Sequence, residues 1–142
     1  MAKQAEILII DGQGGRIGSR LVTAVKEKFP QCALVAVGTN SIATANMIKA
    51  GAEAAATGEN AVIANARRAD VIVGPIGIVI ADALLGEITP AMAAAVGQSP
   101  AEKILIPVNR CSNMVVGVEP LPVNALLEKA VAMIGEAVNS LS

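Results

Sequence analysis

The sequence has no histidine, and Phe29 is its only aromatic residue. Without histidine, the commonest general acid or base and the commonest metal ligand are both missing, and a Ser-His-Asp triad is excluded. A single aromatic ring leaves almost no platform on which nucleic-acid bases could stack. The formal charge of -1, without a basic run, also argues against nucleic-acid binding.

Cysteine and long apolar runs are scarce as well. The 2 cysteines are too few for a zinc cluster in a chain without histidine, and we expect them to be free thiols. The most apolar long stretch, 71–85, is interrupted by glycine and proline and is too short to span a bilayer. The first residues do not resemble a secretory signal. We therefore expect a cytoplasmic protein that binds neither membranes nor nucleic acid.

Aliphatic residues are abundant instead. Of the 142 residues, 54% are hydrophobic and only 16% are charged, a composition typical of a folded domain rather than a disordered chain. The length fits a single domain, 1–142. So much aliphatic surface in so small a domain predicts that a second subunit covers part of it, so we expect a homo-oligomer and favour a dimer.

Hydrophobic patterns predict strands and helices in alternation. Ile17, Leu21 and Val25 recur at four-residue spacing, which places them on one helical face. The alternation predicts a three-layer Rossmann-like α/β fold, with a mainly parallel sheet of five or six strands and helices on both faces. Predicted strands are 6–10, 32–37, 53–56, 71–73 and 104–108, with 114–118 as a candidate sixth; predicted helices are 17–29, 41–49, 60–68, 78–86, 90–96 and 126–141.

The glycine-rich segment between the first strand and the first helix is the main candidate site. Its spacing, Gly12-x-x-Gly15-x-x-Gly18 with an extra glycine at 14, departs from the strict G-x-G-x-x-G pattern. N–H groups at the start of a helix attract phosphate, although a tight strand-to-helix turn alone also favours glycine. We predict that Asp11 fastens this turn. The predicted anion-binding residues are Gly12, Gln13, Gly14, Gly15, Arg16, Ile17 and Gly18.

This loop resembles the cofactor loop of dihydrodipicolinate reductases, in which a similar turn opens the nicotinamide-binding half. The resemblance covers only the first strand and helix. That family also has a substrate domain and a catalytic histidine, which this chain lacks, so its activity is not carried over. Over nearly its full length the chain resembles a small bacterial family of unknown function, which implies a Rossmann-like fold and no established reaction. The second resemblance is carried by Ile10–Gly15, Val37–Thr44 and Gly74–Val79.

The segment after the second strand favours NADP over NAD. An acidic residue about 20 positions past the glycines normally holds the ribose hydroxyls of NAD, but no carboxylate occurs between Glu27 and Glu53. Hydroxyl and amide groups at a helix start suit a phosphate instead. The arginine usual in NADP sites is absent, so a mononucleotide or another phosphorylated metabolite stays open, and a helix cap explains the same residues. The predicted cofactor-binding residues of this segment are Gly38, Thr39, Asn40 and Ser41.

Three further loops are expected at the same edge of the sheet. The turn after the fourth strand, Gly74-Pro75-Ile76-Gly77, allows a ligand to approach the backbone closely, or simply connects a strand to a helix. Polar residues on the other two loops form a candidate ligand rim, with Cys111 beside them as a thiol that has no histidine base. The rim residues are Thr57, Glu59, Asn60, Asn109, Arg110 and Asn113.

Together these features predict a protein that binds a nucleotide, a dinucleotide or another phosphorylated small ligand. It would act as a sensor or as the binding component of a larger activity. A small NAD(P)-dependent reductase is the enzymatic alternative, although the sequence nominates no catalytic residues for it. A structural oligomer or partner-binding protein without a ligand is the third possibility, because a fold alone does not define a function.

Overall fold

A computed structural model describes residues 4–108 and 112–141. Within these residues, strands and helices alternate along the chain, and no helix has both the length and the apolar character needed to cross a membrane. The strands are β1 (Glu6–Asp11), β2 (Ala33–Gly38), β3 (Ala54–Thr57), β4 (Val71–Pro75) and β5 (Glu102–Ile106). The α-helices are α1 (Arg16–Lys28), α2 (Ser41–Lys49), α3 (Glu59–Arg68), α4 (Pro90–Gln98) and α5 (Val123–Asn139), and a short 3-10 helix covers Ile76–Val79.

The strands form one sheet in the order β3-β2-β1-β4-β5, and every neighbouring pair is parallel. This confirms the predicted three-layer α/β fold, with five strands. The chain builds outward from β1 through β2 and β3, then crosses to the other side of β1 to add β4 and β5. Ligands of such sheets bind beyond the carboxyl ends of the strands, where the strand order reverses. Here that position lies between β1 and β4.

Each face of the sheet packs against its own set of helices. Successive side chains of β1 point to opposite faces, and all of Ile7–Ile10 are buried, as expected for a central parallel strand. Ile7 and Ile9 belong to a cluster with residues of α1, α2 and α5. Leu8 and Ile10 belong to a second cluster with residues of α3 and α4. This double burial fixes the carboxyl end of β1, where the glycine loop begins.

The predicted apolar helix 78–86 is wrong. After a single 3-10 turn, the chain forms a compact loop over Ile80–Ile88, which we call the 80–88 loop. Its backbone closes on itself, with the Asp82 N–H donating to the Ile88 carbonyl at 2.7 Å. Asp82, Leu84 and Leu85 have positive φ values of 67°, 57° and 57°, which are incompatible with a right-handed helix. Some of the apolar residues that suggested a helix instead anchor this loop on the core, because Ala83 and Leu84 are almost fully buried.

The candidate sixth strand, 114–118, is also wrong. No strand covers these residues, and both Met114 and Val116 are almost fully exposed. A short apolar run becomes a strand only if a neighbouring strand pairs with its backbone, and none does so here.

Gly74 has a structural role that can be tested. A Cβ atom at this position would lie 2.3 Å from the carbonyl oxygen of Ile10 on the neighbouring strand, and backbone in the centre of a sheet cannot move aside. We expect Gly74→Ala to lower the free energy of unfolding by about 3 kcal/mol in urea denaturation, the upper range for overpacking. Gly97→Ala is the control, because Gly97 lies in α4 with open space around it. A Gly74→Ala protein as stable as the wild type would contradict this role.

Candidate functional site

The glycine loop connects β1 to α1 by a tight turn. The Gly15 N–H donates to the Gly12 carbonyl at 2.9 Å, and α1 starts at Arg16 with Gly15 as its N-cap. Gly15 has a φ of 69°, and a Cβ atom there would lie 2.8 Å from the Cα of Ala43 in α2. Glycine at this position is therefore required by the backbone conformation and by the close approach of the two helix starts.

Asp11 fastens this turn, as predicted. Its two carboxylate oxygens accept hydrogen bonds from the Gly12 N–H at 2.8 Å and the Gly18 N–H at 2.7 Å. Burial raises the pKa of Asp11, the hydrogen bonds from Gly18 and Gly12 oppose that rise, and the charge of Glu87 adds to it. A Cβ atom on Gly18 would lie 2.6 Å from the Sδ of Met47. Gly18 therefore serves packing, and its N–H is already used within the chain.

Three other N–H groups of the loop remain open. Among the residues that the structure describes, none accepts a hydrogen bond from the N–H of Gly14, Arg16 or Ile17. Those of Arg16 and Ile17 belong to the first turn of α1, where the helix dipole is positive. A Cβ atom on Gly14 would meet only the Cγ of Arg16, at 4.0 Å. Internal packing therefore does not explain glycine at position 14.

These open groups line a cleft of about 850 Å³ at the switch point of the sheet. Arg16 and Arg20 supply positive charge, and Arg20 also donates a hydrogen bond to the Oδ1 of Asn124 at the start of α5. The rest of the lining beyond the loop and α1 is aliphatic. It consists of Leu84 from the 80–88 loop, Val108 beyond β5 and Val123 at the start of α5. The cleft thus joins a cationic, donor-rich side to an apolar side.

The segment Gly38–Ser41 does not line this cleft. Asn40 caps α2, because its Oδ1 accepts a hydrogen bond from the Ala43 N–H at 2.8 Å. A Cβ atom on Gly38 would lie 2.3 Å from the Oγ1 of Thr44, so this glycine allows α2 to pack against the end of β2. Ser41 is exposed. The capping role weighed for this segment is therefore confirmed at Asn40.

Glu87 links the glycine loop to the β2–α2 connection. Its Oε1 accepts hydrogen bonds from the Gln13 N–H at 2.8 Å, the Thr39 hydroxyl at 2.6 Å and the Asn40 side-chain amide at 2.8 Å. Desolvation alone would raise the pKa of Glu87, but the hydrogen bonds from Thr39, Gln13 and Asn40 together lower it. No pattern in the sequence indicates this role. Glu87 lies outside every recognised motif and reaches the site only through the unpredicted 80–88 loop.

The remaining candidates that the structure describes are not among the residues that line the cleft. The Thr57 hydroxyl is 2.7 Å from that of Thr44, and Glu59 accepts a hydrogen bond at 2.6 Å from Thr89, which links α3 to α4. Gly77 packs beneath the 80–88 loop, where a Cβ atom would lie 3.2 Å from that of Ala83. Pro75 is buried, Ile76 is partly buried, and Asn60 and Asn113 are exposed. Asn109, Arg110 and Cys111 lie outside the described residues.

The parallel sheet with a cleft at its switch point places the chain in the doubly wound α/β class. The chain matches the family model described as "Domain of unknown function (DUF3842)" over residues 6–139, and it belongs to that family. This confirms the expected near-full-length membership of a family of unknown function. A search among curated proteins found no match to the chain.

The lowered pKa of Glu87 predicts how stability responds to acid. A carboxylate whose pKa is lowered on folding adds stability above its ordinary value of 4.5, and this contribution is lost as the pH falls through the folded-state pKa. We expect the wild type to lose stability more steeply than Glu87→Gln below about pH 5, in urea denaturation at several pH values. The raised pKa of Asp11 has the opposite sign, so Asp11 cannot produce this loss. Parallel curves for the two proteins would contradict the prediction.

Proposed function

We propose that this protein binds a phosphorylated small ligand at the glycine loop. The observation that carries the proposal is the set of three N–H groups, on Gly14, Arg16 and Ile17, that lack an acceptor among the described residues and belong to residues lining one cleft. Convergent N–H groups at a helix start are the usual protein site for a phosphate. The guanidinium groups of Arg16 and Arg20 supply opposite charge at the same wall.

The size and the apolar wall of the cleft support a ligand larger than phosphate alone. Small-molecule sites typically enclose about 300–1,000 Å³, and the cleft holds about 850 Å³. Leu84, Val108 and Val123 offer an aliphatic surface to the rest of the ligand. A sugar or base would pack against these side chains. We therefore propose a nucleotide as the ligand class, ahead of a simple sugar phosphate.

Among dinucleotides, we propose NADP ahead of NAD. The β2–α2 connection carries the Thr39 hydroxyl and the Asn40 amide, which donate to Glu87 in this structure, and contributes no carboxylate of its own that would hold a ribose diol. The lining of the cleft supports binding rather than catalysis. Asp11 is the only acidic residue among the described lining residues, and both of its oxygens are already hydrogen-bonded within the turn.

The proposal is tested by placing a charge at Gly14, where the fold has room for a side chain. We expect isothermal titration calorimetry to detect wild-type binding of at least one of NADP, NAD, AMP and ribose 5-phosphate. Gly14→Asp should weaken that binding at least about tenfold, because a carboxylate near a phosphate costs more than about 1.4 kcal/mol. Gly14→Asn has a similar shape without the charge, and it should weaken binding less.

Gly97→Asp is the matched control for this experiment. It adds the same charge on the exposed surface of α4, outside the cleft, and should leave the affinity unchanged. Circular dichroism checks that each variant is folded. The proposal fails if the wild type binds none of the four ligands, or if Gly14→Asp binds as tightly as the wild type.

A further inference from the structure

Glu87 fills a set of donors that come from two different loops. The Gln13 N–H belongs to the glycine loop, whereas the Thr39 hydroxyl and the Asn40 amide belong to the β2–α2 connection. All three donate to the same oxygen, Oε1 of Glu87. We call Gln13, Thr39 and Asn40 the donor cradle. Its occupant is a carboxylate supplied by a third segment of the chain, the 80–88 loop.

The donor cradle is chemically suited to a phosphate oxygen. A backbone N–H, a hydroxyl and a primary amide all donate without charge, so they bind any anionic oxygen placed among them. Glu87 demonstrates this preference, because its pKa is held below the ordinary value despite partial burial. The cradle also adjoins the cleft, since Gln13 belongs to both.

Displacing the carboxylate requires little rearrangement of the protein. The backbone of the 80–88 loop is held by its own hydrogen bonds, including the Ile88 N–H to the Ala83 carbonyl at 3.1 Å. Ala83, Leu84 and Ile88 are buried and anchor the loop on the core. The side chain of Glu87 is only partly buried, so it can rotate toward solvent while the loop stays in place.

We infer that the donor cradle is a second anion subsite, which Glu87 blocks from within the chain until a phosphate group of the ligand displaces it. The inference rests on the proposed function, because it extends a phosphate ligand of the cleft to a second phosphate. The ligand class is a phosphate ester with two separated phosphate groups, as in NADP. Glu87 then acts as an intramolecular competitor that sets the affinity for such ligands.

Chemical rescue by inorganic phosphate tests the subsite. In Glu87→Ala the three donors lose their acceptor, and we expect phosphate to raise the melting temperature of this variant by about 3 °C more than that of the wild type. Sodium chloride at the same ionic strength is the salt control. Glu53→Ala is the matched variant: it removes a carboxylate that pairs with Lys26 outside the cleft, and it should respond to phosphate as the wild type does.

A double variant separates occupation of the cradle from a general loss of negative charge. Thr39→Val combined with Glu87→Ala removes the hydroxyl donor but keeps a similar shape, so the additional phosphate effect should disappear. If the additional effect persists in the double variant, or is absent in Glu87→Ala, the inference is overturned. If Glu87→Ala does not fold, Glu87→Gln replaces it, because glutamine keeps the side-chain shape. Phosphate must then raise the melting temperature of Glu87→Gln more than that of the wild type, or the inference is overturned.

NADP titrations distinguish this failure from failure of the proposed function. Glu87→Gln should bind NADP at least about fivefold more tightly than the wild type, since a neutral amide competes less well for the three donors. Unchanged NADP affinity in Glu87→Gln, together with wild-type binding that Gly14→Asp weakens at least about tenfold, overturns the inference and leaves the proposed function intact. Absence of binding to NADP, NAD, AMP and ribose 5-phosphate in both wild type and variants overturns both.

Discussion

The hydrogen bonds of Asp11 determine the geometry of the whole candidate site. They join the end of β1 to the first turn of α1 through the N–H groups of Gly12 and Gly18, so the loop between them has little freedom. The buried carboxylate is costly to desolvate, and these two bonds offset part of that cost. Because Asp11 already accepts the hydrogen bond of the Gly18 N–H, the N–H groups left for a ligand are those of Gly14, Arg16 and Ile17. The carboxylate thus selects which N–H groups face the cleft.

The glycines of the loop are needed for different physical reasons, which the structure distinguishes. At Gly15 and Gly18 a Cβ atom would clash with Ala43 or Met47 of α2, so the packing of two helices explains them. At Gly12 it would clash with Thr39 and the 80–88 loop. Only Gly14 has open space. A glycine-rich turn therefore supports ligand binding only through those glycines that packing does not explain.

Sequence patterns predicted the features of this protein that depend on residues close together along the chain. The alternation of strands and helices, the α2 start near Asn40 and the fastening of the turn by Asp11 all follow from periodicity, capping and turn chemistry. The 80–88 loop did not follow, because left-handed residues interrupt an apolar run that suits a helix. The contact of Glu87 with Thr39 spans 48 positions and leaves no local pattern.

Asp11 and Glu87, the two carboxylates at the sheet edge, differ in burial and in hydrogen-bond donors, and this difference explains why their pKa values shift in opposite directions. Asp11 is buried, and desolvation dominates the rise of its pKa, whereas three donors outweigh desolvation at the partly buried Glu87. An entering phosphate cannot displace Asp11 without undoing the turn itself. It can displace Glu87 and take over the same donors, and its larger negative charge strengthens these hydrogen bonds. Exchange at the cradle therefore favours a doubly charged phosphate over singly charged anions.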